Sequence, residues 1–138
     1  MDRPVESPHR LVNAGSLAKP SGFSHAVVAQ AGRTVYLAGQ TALMADGTLR
    51  GGSIVEQFDQ AAANVVKALE AAGAHPQDLV SMQIFVTDLD EYRDAQKEIG
   101  RVYQRHFGRH YPAMALLEVR RLFDEDARVE LMGVAVMA

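Results

Sequence analysis

The chain has 138 residues, and its 14 Lys and Arg against 17 Asp and Glu leave a net charge of −3 at neutral pH. This length fits one domain, and 48% apolar with 22% charged residues is typical of a globular protein, not a disordered one. The negative charge does not favour binding to DNA or RNA. No cysteine is present, which excludes disulfides, zinc–thiolate sites and thiol nucleophiles, and a cytoplasmic location is expected. No apolar run reaches the roughly 18 residues of a membrane span, so no membrane partner is expected.

The first third of the chain predicts an irregular segment followed by a hairpin. Residues 1–21 are rich in Pro, Gly and Ser, which is typical of an irregular N-terminal segment, and residues 22–138 are predicted to form a single domain. Residues 25–31 and 34–38 are apolar stretches separated by a Gly-Arg pair. This pattern predicts two strands joined by a tight turn.

Two segments have the spacing of amphipathic helices. Ser53, followed three residues later by Glu56, forms a capping-box pattern, and apolar residues then recur every three or four positions until Gly73. Gly73 is predicted to end this helix. The same spacing over residues 90–107 predicts a second helix that ends at Gly108.

Three further apolar segments predict strands. Residues 79–87 alternate between apolar and polar side chains, and residues 112–121 and 127–138 flank an acidic turn, which predicts a second hairpin. The β-β-α-β-α-β-β order predicts a two-layer α+β domain, with a mixed sheet of about five to six strands and both helices on one face. The other face needs a cover, which predicts a homo-oligomer. The alternative is a monomer with one solvated sheet face.

Short motifs along residues 22–138 resemble those of one known family. They are Ala38-Gly39-Gln40, the helix over residues 62–73 that ends in Ala-Ala-Gly, Val86-Thr-Asp-Leu-Asp90, Tyr111-Pro-Ala113 and Glu118-Val119. In this order they are similar to the RidA/YjgF family, also called the endoribonuclease L-PSP family. The resemblance implies a chorismate-mutase-like (RidA-like) fold and a homotrimer with small-molecule clefts between its subunits.

The resemblance also implies a chemistry. Better-known members hydrolyse reactive imines and enamines to a keto acid and ammonia, holding the substrate carboxylate with an Arg after Pro-Ala and positioning water with a Glu on the last strand. Here Met114 follows the Pro-Ala pair, and Met132 takes the place of that Glu. Met cannot imitate a bidentate Arg–carboxylate pair. We therefore expect a more apolar cleft, which takes a neutral and bulkier substrate in place of the usual 2-imino acids.

Two glutamates are candidates for acid–base catalysis. Glu118 lies two positions from Leu116 and four from Met114, so the strand period places all three on one sheet face. Glu130 shares a face with Met132 in the same way and is the weaker candidate. Pairing with a nearby arginine is the alternative role for both carboxylates.

The resemblance places cleft walls at the entry to the first strand and at the end of the second. His25 can shuttle a proton near neutral pH, or it can be a structural histidine at a strand end. Gly39 can offer a backbone donor, or it can allow close approach of another chain. The predicted ligand-binding residues are Phe23, Ser24, His25, Ala38, Gly39, Met114, Leu116 and Met132.

No motif indicates a metal or a cofactor. His106 and His110 are four residues apart, a spacing that places two ligands on one face of a continuous helix. Gly108 lies between them and no third ligand is evident, so surface or interface histidines are the favoured interpretation. The glycines near residue 50 do not form a phosphate-binding pattern. No metal and no cofactor are therefore expected.

Three functions from different classes remain open. The first is a deaminase-type hydrolase that acts on an imine or enamine in an apolar cleft, with Glu118 or a backbone-held water. The second is a small-molecule-binding or chaperone-like protein without catalysis, which the loss of two polar site residues favours. The third is an endoribonuclease, for which the net charge of −3 gives no support.

Overall fold

Six strands and three α-helices are present in residues 6–138, the part of the chain that the computed structural model describes. The strands are β1 (Arg10–Val12), β2 (Ala26–Val28), β3 (Arg33–Tyr36), β4 (Leu79–Val86), β5 (Ala113–Glu118) and β6 (Val129–Met137). The helices are α1 (Ile54–Ala71), α2 (Leu89–Asp94) and α3 (Gln96–Phe107). None of these helices is long and apolar enough to cross a membrane.

Four of the strands form one mixed sheet in the order β3-β6-β4-β5. β4 and β5 are parallel, whereas β6 is antiparallel to both of its neighbours. β1 and β2 form a separate antiparallel pair. The predicted α+β class and mixed sheet are confirmed, with the six strands divided between two sheets.

Both predicted hairpins are wrong. β2 pairs with β1 and not with β3, and β5 lies on the opposite side of β4 from β6. The reason is that β6, nine residues long, hydrogen-bonds along both of its edges and therefore occupies the centre of the sheet. The parallel pairing of β4 with β5 then requires a crossover connection, which α2 and α3 provide.

The N-terminal segment is more regular than its composition predicts. β1 lies within residues 1–21 and pairs with β2. The buried ring of His9 donates from Nε2 to the Val136 carbonyl at 2.8 Å and accepts at Nδ1 from the Gln30 N–H at 3.0 Å. These bonds attach the small sheet to β6. The irregular assignment is therefore wrong for this part, while a domain start at residue 22 stays a prediction.

The first helix begins and ends as predicted. The Glu56 N–H donates to Ser53 Oγ at 3.1 Å, and the Ser53 hydroxyl donates to the Glu56 carboxylate at 3.1 Å. Gly73 adopts a φ of 85°, a left-handed conformation that favours glycine after a helix end. The apolar side of α1, which includes Phe58 and Leu69, packs in the core.

The predicted second helix is two helices. Ala95 separates α2 from α3 with a ψ of 10°, and its N–H donates to the carbonyls of Glu91 and Tyr92. A one-residue interruption leaves the apolar spacing nearly unchanged, so periodicity does not reveal it. The predicted end at Gly108 is confirmed, with a φ of 67°.

The two faces of the main sheet differ in cover. Met82 and Leu131 lie on the face that packs against α1 and α3 and are fully buried. Side chains at alternate positions point to the opposite face, where Tyr36, Met132 and Leu117 are 81%, 39% and 43% exposed. The helices therefore cover one side of the sheet, and the other side presents apolar side chains to the surroundings.

Candidate functional site

A cavity of about 680 Å³ lies between the edge strand β5 and the helix α3. Residues 21–23 and Tyr92 of α2 also line it. This volume is within the range of small-molecule sites. The cavity therefore identifies the side of the molecule on which a ligand can be held.

The strand side of the cavity is apolar. Met114 and Leu116 of β5 line it, together with Ile84 of β4. Ile84 is the direct partner of Leu116 in the parallel ladder, so the two side chains lie side by side on the helix-covered face. This wall offers dispersion and apolar contact but no charge to a ligand.

An ordered aromatic pair borders the cavity on the helix side. The rings of Tyr103 and Tyr111 stack with centroids 5.3 Å apart and planes 10° apart. The Tyr103 hydroxyl donates to the His110 carbonyl at 2.6 Å, and Gln104 Nε2 donates to the Tyr111 hydroxyl at 2.8 Å. Because that bond uses the Tyr111 oxygen as an acceptor, its own O–H proton is free to donate.

Burial raises the pKa of two tyrosines in this region, Tyr103 and Tyr92. Desolvation raises the pKa of Tyr103, and the nearby phenols of Tyr111 and Tyr92 raise it further. Desolvation also raises the pKa of Tyr92. Both side chains therefore act as neutral phenols, which can form hydrogen bonds but carry no negative charge.

The rim of the cavity is polar and carries two cations. Lys97 and Arg101 of α3 line it with Gln96 and Gln104, and Gly100 lies between the two cations in the wall. A Cβ built on Gly100 meets no heavy atom within 4 Å. No carboxylate or imidazole is among the lining residues of the described chain.

The structure brings three of the predicted ligand-binding residues together. Phe23, Met114 and Leu116 all line the cavity. Ser24 is buried beside it, where its hydroxyl donates to the Tyr111 carbonyl at 2.6 Å and its N–H donates to the Pro112 carbonyl at 3.1 Å. Ser24 therefore fixes the strand entry that carries Phe23, with its hydroxyl hydrogen already donated.

His25 holds the N-terminal segment. Its Nδ1 accepts from the Ala14 N–H at 3.0 Å, and its Nε2 donates to the Ala18 carbonyl at 2.9 Å. Both ring nitrogens are thus occupied by the backbone. This geometry corresponds to the structural role that the sequence left open beside proton transfer.

The remaining predicted residues lie elsewhere. Met132 and Glu130 are on the face of the sheet opposite the helices, and Ala38 and Gly39 follow β3. A Cβ on Gly39 would come within 2.8 Å of the Glu130 carboxyl carbon, so glycine allows these two segments to touch. Met114 and Met132 therefore do not meet within one chain.

Glu118 lies at the end of β5 outside the cavity lining. Its Oε1 accepts from the Leu89 N–H at 3.0 Å, where α2 begins. As the strand period predicts, its position is on the same face as Met114 and Leu116. The carboxylate thus stabilises a helix start, two positions along β5 from the last residue of that strand that lines the cavity, Leu116.

The two histidines considered for a metal have separate partners. His106 Nε2 contacts the Asp59 carboxylate, and the buried His110 donates from Nε2 to the Leu79 carbonyl at 2.8 Å. Within residues 6–138, no cluster of three or more His, Asp or Glu has the arrangement of a metal site.

Sequence reasoning missed the polar half of the cavity. Lys97 and Arg101 were not among the predicted site residues, and Tyr103 was counted only in the helical spacing over residues 90–107. The available signal was their spacing, since residues 97, 101 and 104 follow one another by a helical turn. Only the position of α3 relative to β5 shows that this stripe faces Met114.

Comparisons with known proteins agree on one family. The model of the endoribonuclease L-PSP family matches residues 15–137. The chain is 31% identical over 133 residues to the 2-iminobutanoate/2-iminopropanoate deaminase of Dermatophagoides farinae, covering 95% of this chain and 98% of that protein. It is 29% identical to the human protein of the same name, covering 88% and 87%.

Solved structures give the same result. The Rid-family protein YyfB of Yersinia pestis, whose function is unknown, superposes with a TM-score of 0.82 at 29% identity, covering 94% of this chain and 98% of that one. RidA of the Antarctic bacterium Psychrobacter has a TM-score of 0.67 at 26% identity, with 92% and 98% covered.

Proposed function

Because the chain belongs to the endoribonuclease L-PSP family, also known as the RidA/YjgF family, we propose that it hydrolyses a reactive imine or enamine with release of ammonia. Relatives of about 30% identity carry the name 2-iminobutanoate/2-iminopropanoate deaminase. The observation that carries the proposal is the cavity between β5 and α3, whose wall contains Met114, Leu116 and Phe23. These are the positions at which the sequence predicts a ligand.

The proposed substrate differs from the usual 2-imino acids. The family resemblance implies an arginine after Pro-Ala, and Met114 occupies that position in the cavity wall. A thioether supplies no charge and no hydrogen-bond donor to a carboxylate beside the reacting carbon. A substrate without a carboxylate on the imine carbon suits this wall better.

The chemistry needs one water and no redox step. Water adds to the carbon of the C=N bond, a proton passes to the nitrogen, and the resulting carbinolamine collapses to C=O and ammonia. We assign Glu118 as the candidate that takes the proton from water and returns it to nitrogen. Its position beside Leu116 on β5 supports this assignment, and Glu130 is the weaker candidate.

We also propose that the protein acts as a homotrimer with its ligand sites between subunits. The exposed apolar side chains on the helix-free sheet face support such an assembly. This arrangement would let Glu130 and Met132 of one subunit approach the cavity of another.

A cytoplasmic location remains a prediction from the lack of cysteine.

A second candidate function is ligand binding without turnover. The observation in its favour is that no carboxylate or imidazole lines the cavity within the described residues. Such a protein would be stabilised by a ligand without converting it. An endoribonuclease remains the third candidate, and a nuclease assay on the purified assembly tests it.

Ammonia release distinguishes the first two candidates. The purified protein is given two sets of freshly generated imines, with and without a carboxylate on the imine carbon, and uncatalysed decay is subtracted. We expect acceleration only for imines without that carboxylate. Glu118→Gln should abolish this activity, and it is a mild change because the Gln side-chain oxygen can still accept from the Leu89 N–H. Met114→Arg should shift activity toward the carboxylate set.

No acceleration of either set contradicts the deaminase assignment and favours the binding protein. Full activity in Glu118→Gln contradicts the proposed role of Glu118 in proton transfer, but it does not contradict the proposed hydrolysis of imines. The variant's far-UV circular dichroism and assembly mass serve as controls for folding.

A further inference from the structure

Two cations lie one helical turn apart on the rim of the cavity. Lys97 and Arg101 both belong to α3, and a spacing of four residues places them on the same side of that helix. Both line the cavity, and Gly100 next to them adds no side chain above the wall. The rim therefore presents two adjacent positive charges with open space in front of them.

In the part of the chain that the structure describes, these two charges have no acidic partner in an ion pair. Among residues 6–138, the ion pairs join Asp59 to Arg105 and His106, and Glu91 to Arg128. Lys97 and Arg101 are in none of them, and no carboxylate lines the cavity in the described chain. Within residues 6–138, the cavity lining thus supplies no negative charge that would compete with an anion for these side chains.

The wall of the cavity opposite the two cations is apolar. Met114 and Leu116 of β5 and Ile84 of β4 line it and are apolar. A ligand that fits both walls has an apolar body against β5 and an anionic group at α3. A carboxylate suits the pair because arginine and lysine both donate charge-assisted hydrogen bonds to it.

We propose that the cavity binds a ligand with an apolar body and a carboxylate at its far end, held by Lys97 and Arg101. Resting on the proposed function, this makes the substrate an imine or enamine whose carboxylate is remote from the reacting carbon. The anion is then held from α3 and not from position 114 of β5. Lys97 and Arg101 are ligand-binding residues in this arrangement, and they determine substrate specificity.

Two unreactive probes test the proposal by binding alone. Phenylbutanoate has a phenyl group at one end of its chain and a carboxylate at the other, and phenylbutanamide has the same body without the charge. Isothermal titration calorimetry on the purified assembly measures both dissociation constants. We expect the carboxylate to bind about fivefold more tightly than the amide at low salt, as two partly exposed ion pairs allow. Added salt should reduce this ratio.

Variants identify the side chains responsible. The double variant Lys97→Gln with Arg101→Gln should bind both probes equally. Lys67→Gln on α1 and Arg93→Gln on α2 make the same changes at exposed residues outside the cavity lining, and they should keep the wild-type preference. Equal binding of the two probes by the wild type, binding of neither probe, or an unchanged preference in the double variant overturns the proposal.

This outcome is separate from that of the proposed function. The probes cannot be hydrolysed to ammonia, so a protein without deaminase activity can still show the carboxylate preference. Conversely, an active deaminase that binds both probes equally keeps its proposed reaction and loses only the anion site on α3.

Discussion

Two buried histidines of this protein, His9 and His110, form hydrogen bonds with backbone groups. His9 uses both ring nitrogens to join β6 to the segment after β2, and His110 donates to the carbonyl of Leu79 where β4 begins. In each case the ring of a buried histidine forms hydrogen bonds with backbone groups of distant segments. A proton added to His110 would place a charge in a buried position.

The stability of the protein should consequently fall in mild acid. Desolvation lowers the pKa of His110 below its ordinary value of 6.5, despite an opposing contribution from the Leu79 carbonyl. The unfolded chain therefore binds more protons than the folded chain below that value, and stability falls with the pH. We expect the urea midpoint to be lower at about pH 5 than at about pH 7.5, with a smaller drop in His110→Gln.

His75→Gln is the matched control, since His75 is exposed. It should show the same drop as the wild type. A drop of equal size in His110→Gln would assign the acid sensitivity to other groups.

Individual site residues were predictable only where their positions fell within a strand alternation pattern or a sequence motif. Met114, Leu116 and Phe23 were predicted as ligand-binding residues in this way, and all three line one cavity; their role in a ligand site stays a prediction. Met132 was grouped with them, but the pairing of Gln83 with Met132 places it on the other sheet face. Register of this kind depends on contacts between distant strands, which no local pattern of residues specifies.

At the scale of elements, local signals predicted helix ends well and strand partners poorly. The caps at Ser53, Gly73 and Gly108 depend on neighbouring residues alone and are confirmed. The partners of β2 and β5 depend on where β6 inserts, and both predictions failed. The RidA-like fold was nevertheless correct, as the likeness to solved Rid-family structures confirms, because it came from motif order and not from hairpin signals.

Glycine has opposite roles at two of these elements. Gly100 lies inside α3, where an added methyl group has space, so Gly100→Ala should stabilise the protein by about 1 kcal/mol through higher helix propensity. Gly73 adopts a positive φ after α1, so Gly73→Ala should destabilise it by about 1 kcal/mol. Urea unfolding of the two variants measures the change in the free energy of unfolding for the same Gly→Ala substitution at each position. Changes of the same sign at both positions would contradict this account.

At the scale of the whole molecule, the uncovered sheet face is the main open feature. Its exposed side chains come from β3, β5 and β6, so they form part of one continuous surface and not isolated positions. Burial of such a surface between copies removes apolar area from water. The assembly state therefore determines whether the sheet has one face shielded from water, as in a monomer, or two, as in an oligomer.

A charge on this face should break the proposed trimer. Leu117 is 43% exposed on β5, and Leu117→Glu would place a carboxylate in the interface without a partner. We expect the mass measured by light scattering after gel filtration to fall from that of a trimer to that of a monomer. Ala71→Glu, at the exposed end of α1, should leave the mass unchanged. A monomeric wild type would contradict the proposal directly.

The central position of β6 also affects how the protein is made. In the main sheet, Arg33 of β3 pairs with Met137 of β6. The pairing of these two strands therefore joins residues that lie far apart in the sequence. During synthesis, α1 and the β4–β5 unit leave the ribosome before β6 does, and the inner edges of β3 and β4 stay unpaired meanwhile. Exposed strand edges are sites at which growing chains associate. Slow translation of residues 119–137 would therefore prolong the interval in which nascent chains can aggregate.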